Sequence, residues 1–363
     1  MHPTRILTSL LLPLIAVALC LAASLVALAA LGYGTERGQS FGIALSGLIR
    51  VVWEKAILPG NHYRSWIESL QAATPLLLTG LAVTVAFRAG VLNIGGEGQF
   101  LLGAIAATAV GVRWHAGPAL LLPGLLLSAA AAGAILAGIA AALDRWRNVP
   151  VVLSTLLLNF VAFELLAVVL QGPLRGSEGQ PASEELPPSA RLPQWVPAHG
   201  HVGLHLGCAI ALAAAGLVAF VLGCTVFGFR LRMVGENSIA ARFAGVRVGR
   251  VAFASLALSG ALAGLAGGIQ ISGVESYQLL LSMRGSGLGF AGIAVALLGR
   301  LRVPGVIAAA VLFGLLNTAF GALEANADVP SVTGQATQGA ILIAMLILTH
   351  PLWGSRLIRT RRL

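Results

Sequence analysis

Long runs almost free of charged residues recur along this chain, and they restrict what it can fold into more than any other feature. The stretch 118–142, "PALLLPGLLLSAAAAGAILAGIAAA", holds no Asp, Glu, Lys or Arg. A helix crosses about 30 Å of hydrocarbon with roughly 20 residues, each rising about 1.5 Å. Ten segments meet or approach that length, at about 6–32, 68–87, 92–112, 118–142, 150–171, 203–226, 250–273, 285–299, 304–323 and 335–350. They are uniform in Leu, Ala, Gly and Val and do not alternate every second residue, which argues against barrel strands. With 57% apolar and 10% charged residues, the composition is that of an integral membrane protein. The expected fold is therefore all-α, with about ten transmembrane helices. The third and eighth segments are short or broken by glycine, so one or two of the ten are expected to be discontinuous or re-entrant.

Arg5 followed by an apolar run resembles a secretory signal, but the run from Ile6 to Leu31 is too long for one. Val17-Ala18-Leu19-Cys20 puts leucine where a lipoprotein cleavage site needs a small residue. A retained first helix is the expectation.

The formal charge of +10 raises the question of nucleic acid. With the amino terminus in the cytoplasm, fifteen Lys and Arg fall in inner loops, among them Arg145, Arg147, Arg230, Arg232, Arg300 and Arg302, against eight in outer ones. That bias is what the positive-inside rule requires. The basicity reports topology, with both termini cytoplasmic, and not nucleic-acid binding.

Cys20, Cys208 and Cys224 sit in apolar segments with no C-x-x-C spacing and read as small core residues. His199, His201 and His205 form H-x-H-x-x-x-H near an outer loop, but no carboxylate or cysteine joins them at ligand spacing. No metal site is expected.

Two hydrophilic regions interrupt the membrane segments. The outer one, 171–203, carries Pro173, Pro181, Pro187, Pro188, Pro193 and Pro197 and cannot hold a long helix or a central strand. Glu178, Glu184 and Glu185 suit a basic partner face, and Trp195 suits the membrane interface. A solvated connector and a docking loop are both open readings. The inner one, "FGFRLRMVGENSIAARFAGVRVGR" (227–250), contains a short helix capped by Asn237 or Ser238, running through Phe243 and ended by Gly245. Ile239 and Phe243 share one face by the i, i+4 rule. Two turns are too few to be stable alone, so this stub calls for a partner surface. Upstream, "FGIALSGLIRVVWEKAILPG" (41–60) reads as an amphipathic helix on the outer membrane surface.

The segment "FRAGVLNIGGEGQF" (87–100) places Asn93, Glu97 and Gln99 among Gly90, Gly95, Gly96 and Gly98 at membrane depth. Irregular backbone survives there only inside protein or beside a water-filled cavity, and a buried glutamate is costly unless it has a function or a partner. Glycine alone would suit close helix packing. The added carboxylate points instead to a broken helix bordering an internal path. A second interrupted stretch, "ESYQLLLSMRGSGLGFAGIAVALLG" (275–299), repeats an arginine, glycines and a small-residue run in the other half of the chain. Paired interruptions in two halves are a pointer to a pathway at a pseudo-repeat interface. Asn159 and Glu164 lie in the fifth segment, and Glu164 belongs either near the outer boundary or in a polar environment.

No G-x-x-x-x-G-K-[ST] occurs, and the single lysine, Lys55, stands between Glu54 and Ala56. Any ATP hydrolysis must reside on another polypeptide. No Ser-His-Asp order or H-E-x-x-H is present either, so an enzyme is not expected.

Four stretches carry a family resemblance: "TPLLLTGLAVTVAFRAGVLNIGGEGQFLLGA" (74–104), "VPVVLSTLLLNFVAFELL" (149–166), "GFRLRMVGENSIAARFAGV" (228–246) and "GLGFAGIAVALLGRLRVPGVIAAAVLFGLL" (287–316). In order, they resemble the permease subunits of bacterial ABC importers in the ribose, branched-chain amino acid and nucleoside group, above all the nucleoside-type permeases that work with a basic membrane lipoprotein. The resemblance runs from about residue 70 to the end; the first 65 residues match only in general character. It implies a bacterial inner-membrane protein without cofactor. Its partners would be two cytoplasmic ATPase subunits, a second permease subunit of the same or a different kind, an extracytoplasmic solute-binding lipoprotein and membrane lipids, but no nucleic acid. By that likeness Gly235, Glu236, Asn237, Ala240, Ala241, Arg242 and Gly245 form the helix that docks on the ATPase. Asn93, Gly95, Gly96, Glu97, Gln99 and Asn159, with the segment from Gly287 through Gly289 and Phe290 to Gly292, border the translocation path.

The expected organisation is then a first transmembrane helix plus outer amphipathic segment (1–66), a permease domain (67–350) and a basic cytoplasmic tail (351–363). Nucleosides are the expected solutes and sugars the next. The competing class is an ion-coupled secondary transporter using Glu97, Glu164 or Glu275, and a third is a membrane scaffold without transport.

Overall fold

The computed structural model describes residues 22–30, 41–52, 64–176, 181–195, 203–274, 277–327, 329–330 and 332–349. Cys20, His199, His201, Glu275 and the basic tail lie outside the described residues, as does most of the first apolar segment. The described helices are α1 (22–30), α2 (Phe41–Val52), α3 (Arg64–Arg88), α4 (Gly96–Arg113), α5 (Pro118–Arg147), α6 (Val151–Gln171), α7 (Gly207–Cys224), α8 (Val226–Glu236), α9 (Ser238–Phe243), α10 (Val248–Gly273), α11 (Leu288–Leu298), α12 (Val303–Ala327) and α13 (Val332–Thr349). Among the described residues the only β pairing is two isolated bridges, Ala182 with Leu280 and Gln194 with His205.

Six of these helices are long and apolar enough to cross a membrane: Ser65–Arg88, Pro118–Arg147, Val151–Gln171, Gly207–Cys224, Val248–Gly273 and Val303–Ala325. The fold is therefore the expected all-helical membrane type, although these six do not make up the ten expected crossings. The segment expected at 92–112 starts late, because α4 begins only at Gly96. The segment expected at 285–299 yields an 11-residue helix after a 3-10 turn at Leu281–Gly285. Eleven residues rise only about 16 Å, roughly half the hydrocarbon thickness.

The chain divides into two compact units, residues 70–312 and residues 1–69 with 313–363. In the larger unit α4, α5 and α10 approach so closely that side chains cannot stand between them. A Cβ added at Gly133 would lie 2.1 Å from the Gly260 carbonyl oxygen, and one at Gly103 would lie 2.2 Å from that of Gly264. Such contacts suit membrane helices, which associate through close backbone packing when lipid removes the hydrophobic drive between them. Gly264 is the shared point, with a Cβ there 2.2 Å from the Ala129 carbonyl oxygen. Gly264→Leu is expected to separate α10 from α5 and to lower the melting temperature in detergent by at least several degrees. An unchanged melting curve would mean that this packing contributes little.

In the smaller unit Leu28, Ala29, Leu48, Phe320, Leu323 and Val329 form a buried cluster with Leu25, Leu45 and Val52 packed against it. On α2 the apolar residues Leu45, Leu48 and Val52 face this cluster. Ile49 and Arg50 remain exposed on it.

Among its described residues the Pro-rich loop between α6 and α7 holds a 3-10 turn at Pro188–Ala190. It is nevertheless strapped to the protein. The amides of Ser183, Leu186 and Leu192 donate to the carbonyls of Leu279 (2.9 Å), Tyr277 (2.8 Å) and Ser272 (2.7 Å). Leu186, Ala190 and Leu192 are buried beneath it, so it is more than a solvated connector. His205, next to α7, is buried and accepts from the Gly207 amide through Nδ1 (3.1 Å), which gives it a local structural role.

Candidate functional site

A helix that stops inside a membrane protein exposes backbone groups that need partners, and α3 stops at Arg88. Gly90, at φ +74°, turns the chain, and residues 91–95 are irregular before α4 resumes. The partners come from side chains of three helices. Thr155 of α6 accepts from the Ile94 amide (3.3 Å), and Asn159, one turn on, donates to the Ile94 carbonyl (3.1 Å) and accepts from the Gly98 amide (2.9 Å). Asn93 folds back on its own segment. Its Oδ1 accepts from the Gly95 amide (2.9 Å) and from Gln99 (3.1 Å), while its Nδ2 donates to Gln99 Oε1 (2.9 Å) and to Ser259 of α10 (2.9 Å). All four hydrogen-bonding positions of the Asn93 amide are thus in use.

Glu97 faces the other way, toward the second interrupted stretch. One carboxylate oxygen accepts from Ser286 Oγ (3.1 Å) and the Gly287 amide (3.0 Å), the other from the Gly289 amide (2.7 Å). The first amides of α11 have no partner within that helix, and they carry the positive end of its dipole. Glu97 supplies the missing acceptor and the opposite charge together. The approach leaves no room for side chains, since a Cβ at Gly289 would fall 2.2 Å from the Glu97 nitrogen. Gly287, at φ +66°, has the left-handed backbone that a residue with a Cβ adopts only with strain. Thr79 of α3 also donates to the Leu288 carbonyl (3.2 Å).

The structure therefore gathers Asn93, Gly95, Gly96, Glu97, Gln99, Asn159, Gly287 and Gly289 into one junction between the two interrupted stretches. Asn93, Glu97, Gln99 and Asn159 are each only 1% exposed, and their polar atoms face one another and the backbone. Phe290 stands at the edge with 37% of its surface open. Sequence reasoning missed Thr155, Ser259 and Ser286, which are small hydroxyl residues on apolar helices or loops with nothing in their spacing to mark them.

The short helix α9 forms as its caps dictate. Asn237 accepts from the Ile239 (3.1 Å) and Ala240 (3.0 Å) amides at the start of α9, and Gly245 ends it at φ +81°. Ala241 is buried, while Ile239 and Phe243 project on the outer face, Phe243 with 90% of its surface open. Phe229, Arg232, Met233, Glu236, Asn237, Ala240 and Ala241 line a shallow groove of about 450 Å³ beside it. Gly235, just before the stub, packs on the end of α3: a Cβ there would lie 2.1 Å from the Arg88 carbonyl oxygen. Arg88 in turn donates to the Leu301 carbonyl (2.7 Å).

Glu164, unassigned by the sequence, pairs with Arg284 at 2.5 Å. Their separation of 120 positions hides that pairing from any local reading.

Residues 65–349 match the family described as branched-chain amino acid transport system / permease component. The chain is 35% identical over 345 residues to the guanosine ABC transporter permease protein NupP of Bacillus subtilis, covering 94% of this chain and 93% of that one. It is 37% identical over 287 residues to the glucose ABC transporter permease protein TsgB13 of Haloferax volcanii, covering 77% and 75%. With the nucleoside ABC transporter permease protein NupB of Lactococcus lactis it shares 29% over 286 residues, covering 77% and 78%. These likenesses and the all-helical membrane architecture make the chain a transport subunit and not an enzyme. It belongs to the branched-chain amino acid transport system permease family, as a permease component of an ABC importer.

Proposed function

We propose that this permease admits nucleosides, delivered from outside by a solute-binding protein and driven inward by separate ATPase subunits. The observation that carries the solute class is the near end-to-end likeness to a permease named for guanosine, joined by a second named for nucleosides. A relative named for glucose makes sugars the alternative cargo.

In this reading the chain is a multi-pass inner-membrane protein with both termini cytoplasmic, a first helix and outer segment in 1–66, a permease domain over 67–350 and a basic tail. The stretch 285–299 dips into the membrane and returns, because α11 is too short to cross. The junction at Asn93, Gly95, Gly96, Glu97, Gln99, Asn159, Gly287 and Gly289 frames the translocation path, with Phe290 on its open edge. The buried polar groups hold the interrupted backbone in place and leave the passing solute to the surfaces around them. A conduit that grips its cargo weakly releases it readily.

The segment Gly235, Glu236, Asn237, Ala240, Ala241, Arg242 and Gly245 docks on the ATPase, and its movement tips the permease between outward- and inward-open forms. A second permease subunit completes the pair, and lipids surround it. Glu97 is a poor proton carrier for an ion-coupled cycle, because its carboxylate is committed to fixed donors on α11.

Cells lacking this gene are expected to lose uptake of labelled guanosine and adenosine. In wild-type cells that uptake should stop when the partner ATPase is deleted and survive brief treatment with a protonophore that leaves ATP intact. Loss of glucose uptake with nucleoside uptake intact would transfer the assignment to sugars, and collapse under the protonophore alone would overturn the ATP-driven reading.

A further inference from the structure

The face of α6 that carries Phe160 and Glu164 is unusual for a membrane helix. Glu164 is the fourteenth of the 21 residues of Val151–Gln171, so one or two turns separate it from either the helix centre or the helix end. Its side chain is 68% exposed, and that of its partner Arg284 is 45% exposed. Charged groups on a membrane-spanning helix are rare, and they are found paired and facing water-filled cavities or protein. Aromatic residues stand beside them. The Arg284 guanidinium lies 5.7 Å from the Phe163 ring centre, and Phe163 meets Phe160 edge to face at 6.0 Å. Phe160 is largely exposed. Arg284 belongs to the 3-10 turn that leads directly into Ser286 and Gly287, the groups that Glu97 holds.

We infer that Phe160, Phe163, Glu164 and Arg284 form a recognition station for a nucleoside on the translocation path, an inference that rests on the nucleoside reading above. Planar heterocycles stack on aromatic faces, and such stacking tolerates any base because every base has a π face. Phe160 offers that face. A carboxylate accepts only, and a ribose presents two neighbouring hydroxyl donors. Among the described residues Glu164 is hydrogen-bonded through Oε1 alone, so its acceptor capacity is not exhausted by Arg284. Arg284 holds the carboxylate in place and adds donors for base carbonyls. The pair thus reads the sugar edge and the aromatic residue reads the base.

The test is uptake into cells carrying Phe160→Ala, Glu164→Gln or the double exchange Glu164→Arg with Arg284→Glu, with membrane levels of the protein checked by immunoblot. All strains share one binding protein, so a change in preference among solutes belongs to this chain. Phe160→Ala and Glu164→Gln should each lower adenosine uptake roughly tenfold. Glu164→Gln should also erase the preference for adenosine over 2′,3′-dideoxyadenosine, and Phe160→Trp should retain uptake. Unchanged adenosine uptake and preference in both single variants would overturn the station. Restoration of wild-type preference by the charge exchange would overturn it too, because a merely structural ion pair works in either orientation. If the wild type itself admits no nucleoside, the nucleoside reading fails first, and the two failures are distinguishable.

Discussion

Glu97→Ala is expected to abolish transport and to leave little folded protein in the membrane. The carboxylate accepts from the Gly287 and Gly289 amides and from Ser286 Oγ, in a place where water has no access to the side chain. Removing it strands buried donors, each at about 1–3 kcal/mol, and takes away the negative charge opposite the α11 dipole. The sum is comparable to the 5–15 kcal/mol that holds a typical domain folded. Glu97→Gln keeps the volume and one acceptor but turns an NH2 group toward a backbone donor, so it should fall between wild type and alanine. Detergent-extracted yield, melting temperature and nucleoside uptake are the measurements. An alanine variant that extracts, melts and transports like wild type would show that the junction is not held by this side chain.

Phe243→Asp is expected to do the opposite: spare the fold and destroy coupling. Phe243 is open on almost its whole surface, on a helix whose cap, Asn237, lies at the other end. Among the described residues the ring is almost uncovered, so little packing is lost when it goes. A central aromatic anchor at a protein interface contributes about 2 kcal/mol or more, and a carboxylate in its pocket adds a desolvation cost. Stimulation of ATP hydrolysis by the loaded binding protein should therefore drop by roughly thirtyfold or more, while membrane level and melting temperature stay unchanged. Glu236→Ala and Arg242→Ala, on the flanks, should uncouple transport less severely. Full stimulation in the Phe243→Asp complex, with the ATPase still copurifying, would place the docking surface elsewhere.

What could be read from the sequence was whatever a short stretch decides by itself. The α9 stub is such a case: Asn237, the i, i+4 pair Ile239 and Phe243, and Gly245 specify its start, its sticky face and its end within nine residues. The interruption at 87–100 was legible for the same reason, since glycines and a glutamate among apolar residues contradict a lipid-facing helix. Its partners were not. Glu97 reaches groups 189 to 192 residues away, and Asn93 reaches Ser259 across 166. The face of α2 was legible as amphipathic, but whether its leucines met lipid or protein depended on Phe320 and Leu323, far along the chain. The count of crossings was the least secure part, because length and hydropathy do not distinguish a spanning helix from one like α11 that is apolar and too short.

The tie between Glu97 and α11 also bears on how the protein is made. A ribosome delivers α4 long before Ser286 emerges, so for much of synthesis the carboxylate waits in the membrane without its donors. When α11 arrives, it is too short to be recognised as a span by its own length, and the Glu97 carboxyl group already placed on α4 supplies the acceptors for its leading amides. The early half of the polypeptide thus acts as a template for the late half, and the late half synthesised by itself would lack the group that fixes where α11 begins.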